Sequence, residues 1–467
     1  MQNNMKYIIC FTTLMFVSCG IYNSNHNNIS NQLIQKKVSE HFDTYAKLYK
    51  YNGVVLVAKD SRIILNKAYG VSNPHKKQSL QTDMRFFTGS TTKMLVATAI
   101  LKLVEMDKLK LNDSVGKFIT LPKHVAGLTI HQLLSHTSGL ATLPNFEGSK
   151  ENVPGPVEKY DFVKSFTKKP LRFKPESKYE YSNSAYYLLG VLIEKITHQT
   201  VFDFLNDNFF TKAGIKNTFL PESGTVKTIR ASTEKPAIAM GMVRKKNRLF
   251  DQNNNTHDAS VIYTAGITVS TSQDMLKWSQ NLYDGKFLNN SILNKMLTNY
   301  TSDYCYGLFK GFLPNKMIFY GHNGGMIGNH ALMIYVPSTK THIILISNIA
   351  NQCFDLIVQD LAMIISGEVV SKPEFVHLDY KKYNEFTGEY NGEYFGEVTL
   401  TIFSKKNKLY CQKRKQISQM KYLGNDRFYI DGFRSSYSFK RDQKGTIVSL
   451  ANRNDGLSEL YILKKLK

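Results

Sequence analysis

Acyl transfer through a hydroxyl needs a nucleophile, a base within reach of it, and donors for the oxyanion, all converging on one carbonyl. This chain carries residues of those types at Ser90-Thr91-Thr92-Lys93, Tyr181-Ser182-Asn183 and His322-Asn323-Gly324-Gly325, in that order. Ser90 and Lys93, three apart on a helix, share one face about one turn from each other. With Ser90 at the helix start, its own N–H points toward an attacked carbonyl and the dipole favours the developing anion. An unassisted hydroxyl is a poor nucleophile near neutral pH. Lys93 serves as base only if burial or a neighbouring cation lowers its pKa. Tyr181, as a phenolate stabilised by Lys93, is a partner for that role and a proton relay to the leaving group. Asn183 is placed to bind a substrate amide while orienting Lys93. Glycines after His322 let a substrate backbone approach a strand edge closely. There the N–H of Gly325 would complete an oxyanion hole with that of Ser90.

Each motif alone has a plainer reading. Ser-x-x-Lys recurs at Ser114, Ser165, Ser232 and Ser418, so Ser90 by itself is equally a helix cap beside a solvated lysine. Asn183 by itself caps the next helix, Tyr181 is core, and His322-Asn323-Gly324 is a hairpin turn. Tyr-x-Asn and His-x-Gly each occur once, so the information lies in the set. Rival chemistries lack their parts: there is no His-Glu-x-x-His, no Gly-x-Ser-x-Gly elbow and no Walker A loop. His322 and His330 have no carboxylate partner in metal-ligand spacing, so neither metal nor cofactor is expected.

The elements that must position these residues show in the periodicity. Val54–Ala58 and Ile63–Leu65 are β-branched runs around a polar turn, a hairpin opening a sheet. Helical apolar spacing runs from Lys93 to Met106, the stretch Leu111 to Phe210 is mainly helical with a helix over Ala185–Ile196, and another helix covers Ser270–Leu282. Strands return at Met317–Tyr320, Ala331–Val336 and His342–Ser347, before a closing helix over Phe354–Ile365. Strands at both ends and helices between them predict an α/β (α+β) domain: an antiparallel sheet flanked by helices, with an inserted all-helical subdomain. After Ser371-Lys372-Pro373 the pattern changes to short alternating strands punctuated by glycines, a small C-terminal antiparallel β-barrel.

At 467 residues with 42% hydrophobic content the chain can bury a large core. Lys+Arg of 60 against Asp+Glu of 37 gives +23. No run of five basic residues occurs, so this charge reads as a solvated surface, and no nucleic-acid partner is expected. Lys6, the apolar stretch Tyr7–Val17 and Ser18-Cys19-Gly20 read as a secretory signal, too short to span a bilayer, which takes about 20 apolar residues. The remaining cysteines, Cys305, Cys353 and Cys411, suggest buried small hydrophobes rather than a disulfide or metal framework.

Together, Ser90-x-x-Lys93, Tyr181-x-Asn183 and His322-x-Gly324 resemble the three active-site motifs of the serine β-lactamase and penicillin-binding-protein superfamily. The surrounding runs Phe87–Lys93, Leu133–Leu140, Ala265-Gly266 through Trp278, and Gly321–Gly325 resemble its class C and DD-peptidase branch. The resemblance makes Ser90 the acylated nucleophile, Lys93 and Tyr181 the proton-transfer pair, Asn183 a substrate-orienting residue and His322 an electrostatic and hydrogen-bonding residue on the strand. It implies a serine hydrolase, most simply a DD-carboxypeptidase or D-aminopeptidase acting on small peptides such as those of the cell wall. A β-lactamase, a carboxylesterase and an inactive wall-peptide-binding protein are the alternatives. Class C β-lactamases carry Lys-Thr-Gly where this chain has His322-Asn323-Gly324, and a neutral imidazole lacks the fixed charge that anchors a β-lactam carboxylate. Phe16-Val17-Ser18-Cys19 resembles a lipobox with Phe in place of Leu, which implies a lipidated Cys19 and attachment to the bacterial envelope. The expected organisation is a signal over 1–19, a flexible tether over 20–35, the hydrolase domain over 36–370 and a lipocalin-like barrel over 371–467. Oligomeric state is not legible.

Overall fold

The computed structural model describes residues 22–143, 155–232, 236–245, 248–251, 258–313, 315–326, 328–350, 352–393, 397–414, 416–430, 436–454 and 458–466. The stretch read as a signal and Cys19 lie outside them. Among the described residues no helix is long and apolar enough to cross a membrane.

Six strands build the central sheet: β1 (Gly53–Lys59), β2 (Arg62–Tyr69), β3 (Phe309–Phe312), β4 (Ile318–Met326), β5 (Asn329–Val336) and β6 (Thr341–Ser347). They are ordered β2-β1-β6-β5-β4-β3, with every neighbouring pair antiparallel. Between β2 and β3 the chain makes the predicted helical excursion, including α2 (Thr92–Glu105), α3 (Asn183–Thr197) and α4 (Ser272–Tyr283), with α1 (Tyr22–Leu48) preceding the sheet and α5 (Asp355–Ile365) following it.

Period-two alternation divides the core into two layers. Val54, Leu56, Met333, Ile344 and Ile346 pack with α2, α3 and α4. Val55, Val57, Leu332, Ile343 and Leu345 face α1 and α5. Burial on both sides explains why β1 and β6 read as continuous apolar runs.

Three local outcomes depart from the sequence reading. The tether expected over 20–35 is helical from Tyr22. Val38, Phe42 and Tyr45 anchor the later turns of α1 in the core, and once a helix is anchored each added residue gains a hydrogen bond at small propensity cost. The strand expected to end at Tyr320 runs on to Met326, so His322, Asn323 and Gly324 are strand residues rather than a turn. Ser182, not Asn183, caps α3: its side chain accepts the Ala185 N–H at 3.1 Å, leaving the Asn183 amide for other work.

The C-terminal region closes an eight-stranded antiparallel barrel from Gly388–Glu393 through Ser458–Lys465. Its interior holds Tyr390, Leu400, Ile402, Phe428, Phe439, Leu450 and Leu463. The barrel touches the hydrolase core on the α1/α5 layer. Tyr429 packs on Tyr49 with ring centroids 4.9 Å apart, and buried Asp355 at the start of α5 accepts the Ser436 N–H at 3.0 Å. Burial raises the Asp355 carboxyl pKa against the pull of those donors. Cys305, Cys353 and Cys411 are buried and form no disulfide among the described residues.

Candidate active site

Ser90 lies in the 3-10 turn Gly89–Thr91 that leads directly into α2. The turn is tied down from below, where Thr92 Oγ1 donates to the Gly89 carbonyl at 2.7 Å and Thr88 N–H to the Thr268 carbonyl at 2.8 Å. Its outer side lies against β4. Gly89 has a φ of +60°, and a Cβ there would stand 2.6 Å from the Gly325 nitrogen. A Cβ on Gly324 would stand 1.9 Å from the Thr88 carbonyl oxygen and 2.7 Å from the Ser90 nitrogen. Only glycines allow this approach, which brings the backbone of the Ser90 turn into direct contact with that of Gly324 and Gly325. β4 pairs with β3 as far as Gly321, and beyond it Gly324 and Gly325 lie against the Ser90 turn.

Lys93 is fully buried and its ammonium is aimed at three acceptors: Asn183 Oδ1 at 2.8 Å, the Ala265 carbonyl at 2.5 Å and Ser90 Oγ at 3.3 Å. It also lies 4.8 Å from the centre of the Tyr181 ring. Desolvation holds its pKa well below the usual lysine value. A neutral amine has two hydrogens and one lone pair. Two hydrogens satisfy Asn183 and Ala265, and the lone pair is then left for the Ser90 hydroxyl proton. That is the configuration of a general base.

Two buried histidines complete the surroundings. His322 is 1% exposed, and both ring nitrogens are committed to the protein. Nδ1–H donates to the Asn323 carbonyl, and Nε2 accepts the Tyr304 hydroxyl at 3.2 Å, an assignment made by the network. Burial and the field of Lys93 push its pKa down to about 3. The strand-borne hydrogen bonding expected of His322 is therefore directed inward, with no positive charge. His136, the second, had no role in the sequence reading. Its Nδ1 accepts the Ser182 N–H at 3.0 Å, and its ring packs on Tyr181 and Tyr304 at 4.4 and 4.5 Å between centroids. It thus fixes the segment carrying Tyr181 and Asn183. Burial, Lys93 and His322 keep its pKa well below the ordinary value. Only the run Leu133–Leu140 hinted at it, and nothing in the sequence pointed to Tyr304.

The structure thus brings Ser90, Lys93, Tyr181, Asn183, His322, Gly324 and Gly325 into one place from three separate segments. A family model described as Beta-lactamase matches residues 38–363. The chain belongs to the beta-lactamase family. Within it, the chain is 27% identical over 315 residues to the putative penicillin-binding protein PbpX of Bacillus subtilis, covering 67% of this chain and 74% of the relative. Among solved structures, the octameric penicillin-binding protein homologue from Pyrococcus abyssi superposes with a TM-score of 0.64 at 21% identity, covering 92% of this chain and 99% of that one. The D-amino acid amidase from Ochrobactrum anthropi SV3 superposes with a TM-score of 0.59 at 22% identity, covering 74% and 99%. As a member of the beta-lactamase family with penicillin-binding-protein relatives, this chain is a serine hydrolase.

Proposed function

We propose that this protein is a secreted, lipid-anchored peptidase or amidase that forms an acyl-enzyme at Ser90 and acts on D-amino-acid-containing peptides or amides. The observation that carries the catalytic part is the buried Lys93 amine, held by Asn183 and Ala265 and pointed at Ser90 Oγ. Ser90 Oγ attacks the scissile carbonyl as its proton passes to Lys93. The N–H groups of Ser90 and Gly325 hold the oxyanion. Tyr181 then relays the proton to the leaving nitrogen, and water releases the acyl group by the reverse route. The fold shared with a D-amino acid amidase supports the substrate class.

A fluorophosphonate or fluorescent penicillin tests this directly. Labelling of the full chain is expected and should vanish in Ser90→Ala. Equal labelling of both would reject the nucleophile, and a binding protein without chemistry would label in neither. Turnover of D-amino-acid amides, D-Ala-D-Ala peptides, nitrocefin and nitrophenyl esters then ranks the substrates. The anchor rests on Lys6, Tyr7–Val17 and Phe16-Val17-Ser18-Cys19. Fatty-acid incorporation in cells should be lost in Cys19→Ser, and a protein that incorporates none rejects the anchor.

A further inference from the structure

The turn that carries Ser90 is flanked by threonines held in different ways. Thr88 Oγ1 donates to the Thr268 carbonyl at 3.2 Å, and Thr92 Oγ1 accepts the Thr268 N–H at 3.2 Å, so both tie the turn to a neighbouring segment. Thr91 Oγ1 donates at 3.2 Å to the Thr88 carbonyl, within the turn itself. A hydroxyl has acceptor positions besides its hydrogen, and no donor among the described residues meets those of buried Thr91. Beside it lies a cavity of about 20 Å³ walled by Thr91, Leu95, Thr218, Ser270, Asp274 and Trp278. Thr218 and Ser270 bond each other at 2.7 Å, and Thr218 reaches Asp274 at 3.3 Å. Trp278 is 3% exposed, and its Nε1–H has no acceptor among the described residues. Phe209, Phe210 and Phe287 pack on the indole, but a ring face is a weak acceptor. A buried donor left unmet is costly, and protein or water meets nearly all of them. The size of the cavity decides the occupant. One water needs roughly 10–15 Å³, and an organic molecule far more.

We infer that this cavity holds a single water that accepts the Trp278 N–H and donates to Thr91 Oγ1, tying α4 to the nucleophile turn. The Asp274 carboxylate, one helical turn before Trp278, takes its second hydrogen. This water touches neither substrate nor reacting atoms. It is a positioning group, holding from behind the turn from which Ser90 Oγ attacks. Its effect on rate rests on the acyl-Ser90 reading, whereas the site itself rests on the cavity and the indole alone.

A high-resolution crystal structure of the full chain tests the site. One water is expected within about 2.7–3.2 Å of both Trp278 Nε1 and Thr91 Oγ1. A dry cavity, a water bonded to only one of the two, or an indole N–H laid on a phenylalanine face overturns the inference. The effect on Ser90 is read from the rate of fluorophosphonate labelling in variants that keep the wild-type circular dichroism. Thr91→Val and Trp278→Phe each remove one partner of the water. Each should slow labelling roughly tenfold, short of the ~10²-fold that a full ångström of misplacement costs. Thr91→Ser keeps the hydroxyl and should restore the rate. Because both residues act through one water, the double variant should be no slower than the slower single variant. Losses that multiply, or no loss in either single variant, overturn the bridge. If the wild type never labels, the acyl-Ser90 reading falls while the crystal structure still decides the water, as it does if a variant fails to fold.

Discussion

The same four-residue pattern occurs at Ser90–Lys93 and at Ser114–Lys117, and the two regions share almost nothing else. Lys117 sits on an exposed 3-10 turn, paired with Asp113 at 3.0 Å and lying over the Phe118 ring. A carboxylate and water surround it. Lys93 is sealed beneath Ser90, and its three hydrogen-bond acceptors are neutral. Burial without a counter-charge disfavours the ammonium, the condition the proposed general base requires. A serine and a lysine one helical turn apart thus acquire chemistry from what is packed around them.

The comparison can be broken most directly by exchanging the lysines for a side chain of similar length. Lys93→Met should lower kcat/KM roughly 10³-fold, the scale of a lost general base. Lys117→Met should leave it unchanged and shift stability by no more than about 0.5 kcal/mol, as for an ordinary surface site. Equal losses in Ser90 turnover would erase the distinction between the two regions. Next in size is the close contact between the first region's backbone and β4. Gly324→Ala places a methyl 1.9 Å from the Thr88 carbonyl oxygen, and the displaced oxyanion donors should cost about 10²-fold in kcat. Gly127→Ala, with nothing within 4 Å of the new methyl, should cost nothing in rate.

The basicity of Lys93 sets the pH dependence. Its pKa is lowered by burial, so the active, unprotonated amine prevails above that lowered value and is lost as pH falls through it. The rate should drop by up to about tenfold per pH unit on the acid side. The residual activity of Lys93→Met should lack that limb. A profile from stopped-time assays over the acidic range decides.

The smallest effect is on stability and belongs to His322. Its folded pKa, about 3, lies below the unfolded value of ~6.5. Below that unfolded value the unfolded chain takes up a proton that the native state refuses. Stability present near neutrality is then lost as pH falls toward 3, at up to roughly 1.4 kcal/mol per pH unit. Tyr304→Phe removes the donor that favours the neutral ring. It should cost about 1 kcal/mol near neutrality yet narrow its deficit against wild type in acid. Denaturant melts of both proteins at several pH values measure the gap, and a gap that widens in acid contradicts the network assigned to Tyr304 and His322.

Much of this was legible before any coordinates. β-Branched runs at Val54–Ala58 and His342–Ser347 announced buried strands because each side of that sheet is covered. Helical spacing after Lys93 located α2 within a residue at each end, and the glycine-punctuated alternation after residue 383 announced the barrel. The misses have a common form. Asn and Ser near residue 25 read as a tether because propensity does not know about Phe42 and Tyr45 anchoring the helix downstream. Gly324 and Gly325 suit a turn and a strand edge equally, and the choice was made by the Ser90 turn lying against them. His136 and Tyr304 escaped because their importance lies in what they touch, and neither stands in a spacing that chemistry alone demands.

Residue types and their spacing along the chain determined which groups were available: one hydroxyl and one amine a helical turn apart, a tyrosine and amide before a helix, and glycines after a strand. They also determined that strands would flank helices and that a barrel would follow. Tertiary structure alone decided the state of those groups. The Lys93 ammonium is disfavoured because Asn183, Ala265 and the Tyr181 ring, all distant in the chain, bury it and offer no negative charge. His322 is neutral because burial and Lys93 disfavour its charged form, and its ring is turned inward onto Asn323 and Tyr304. Desolvation and hydrogen bonding are properties of a packed neighbourhood, and those neighbours come from separate segments that meet only when the sheet and the helices close together.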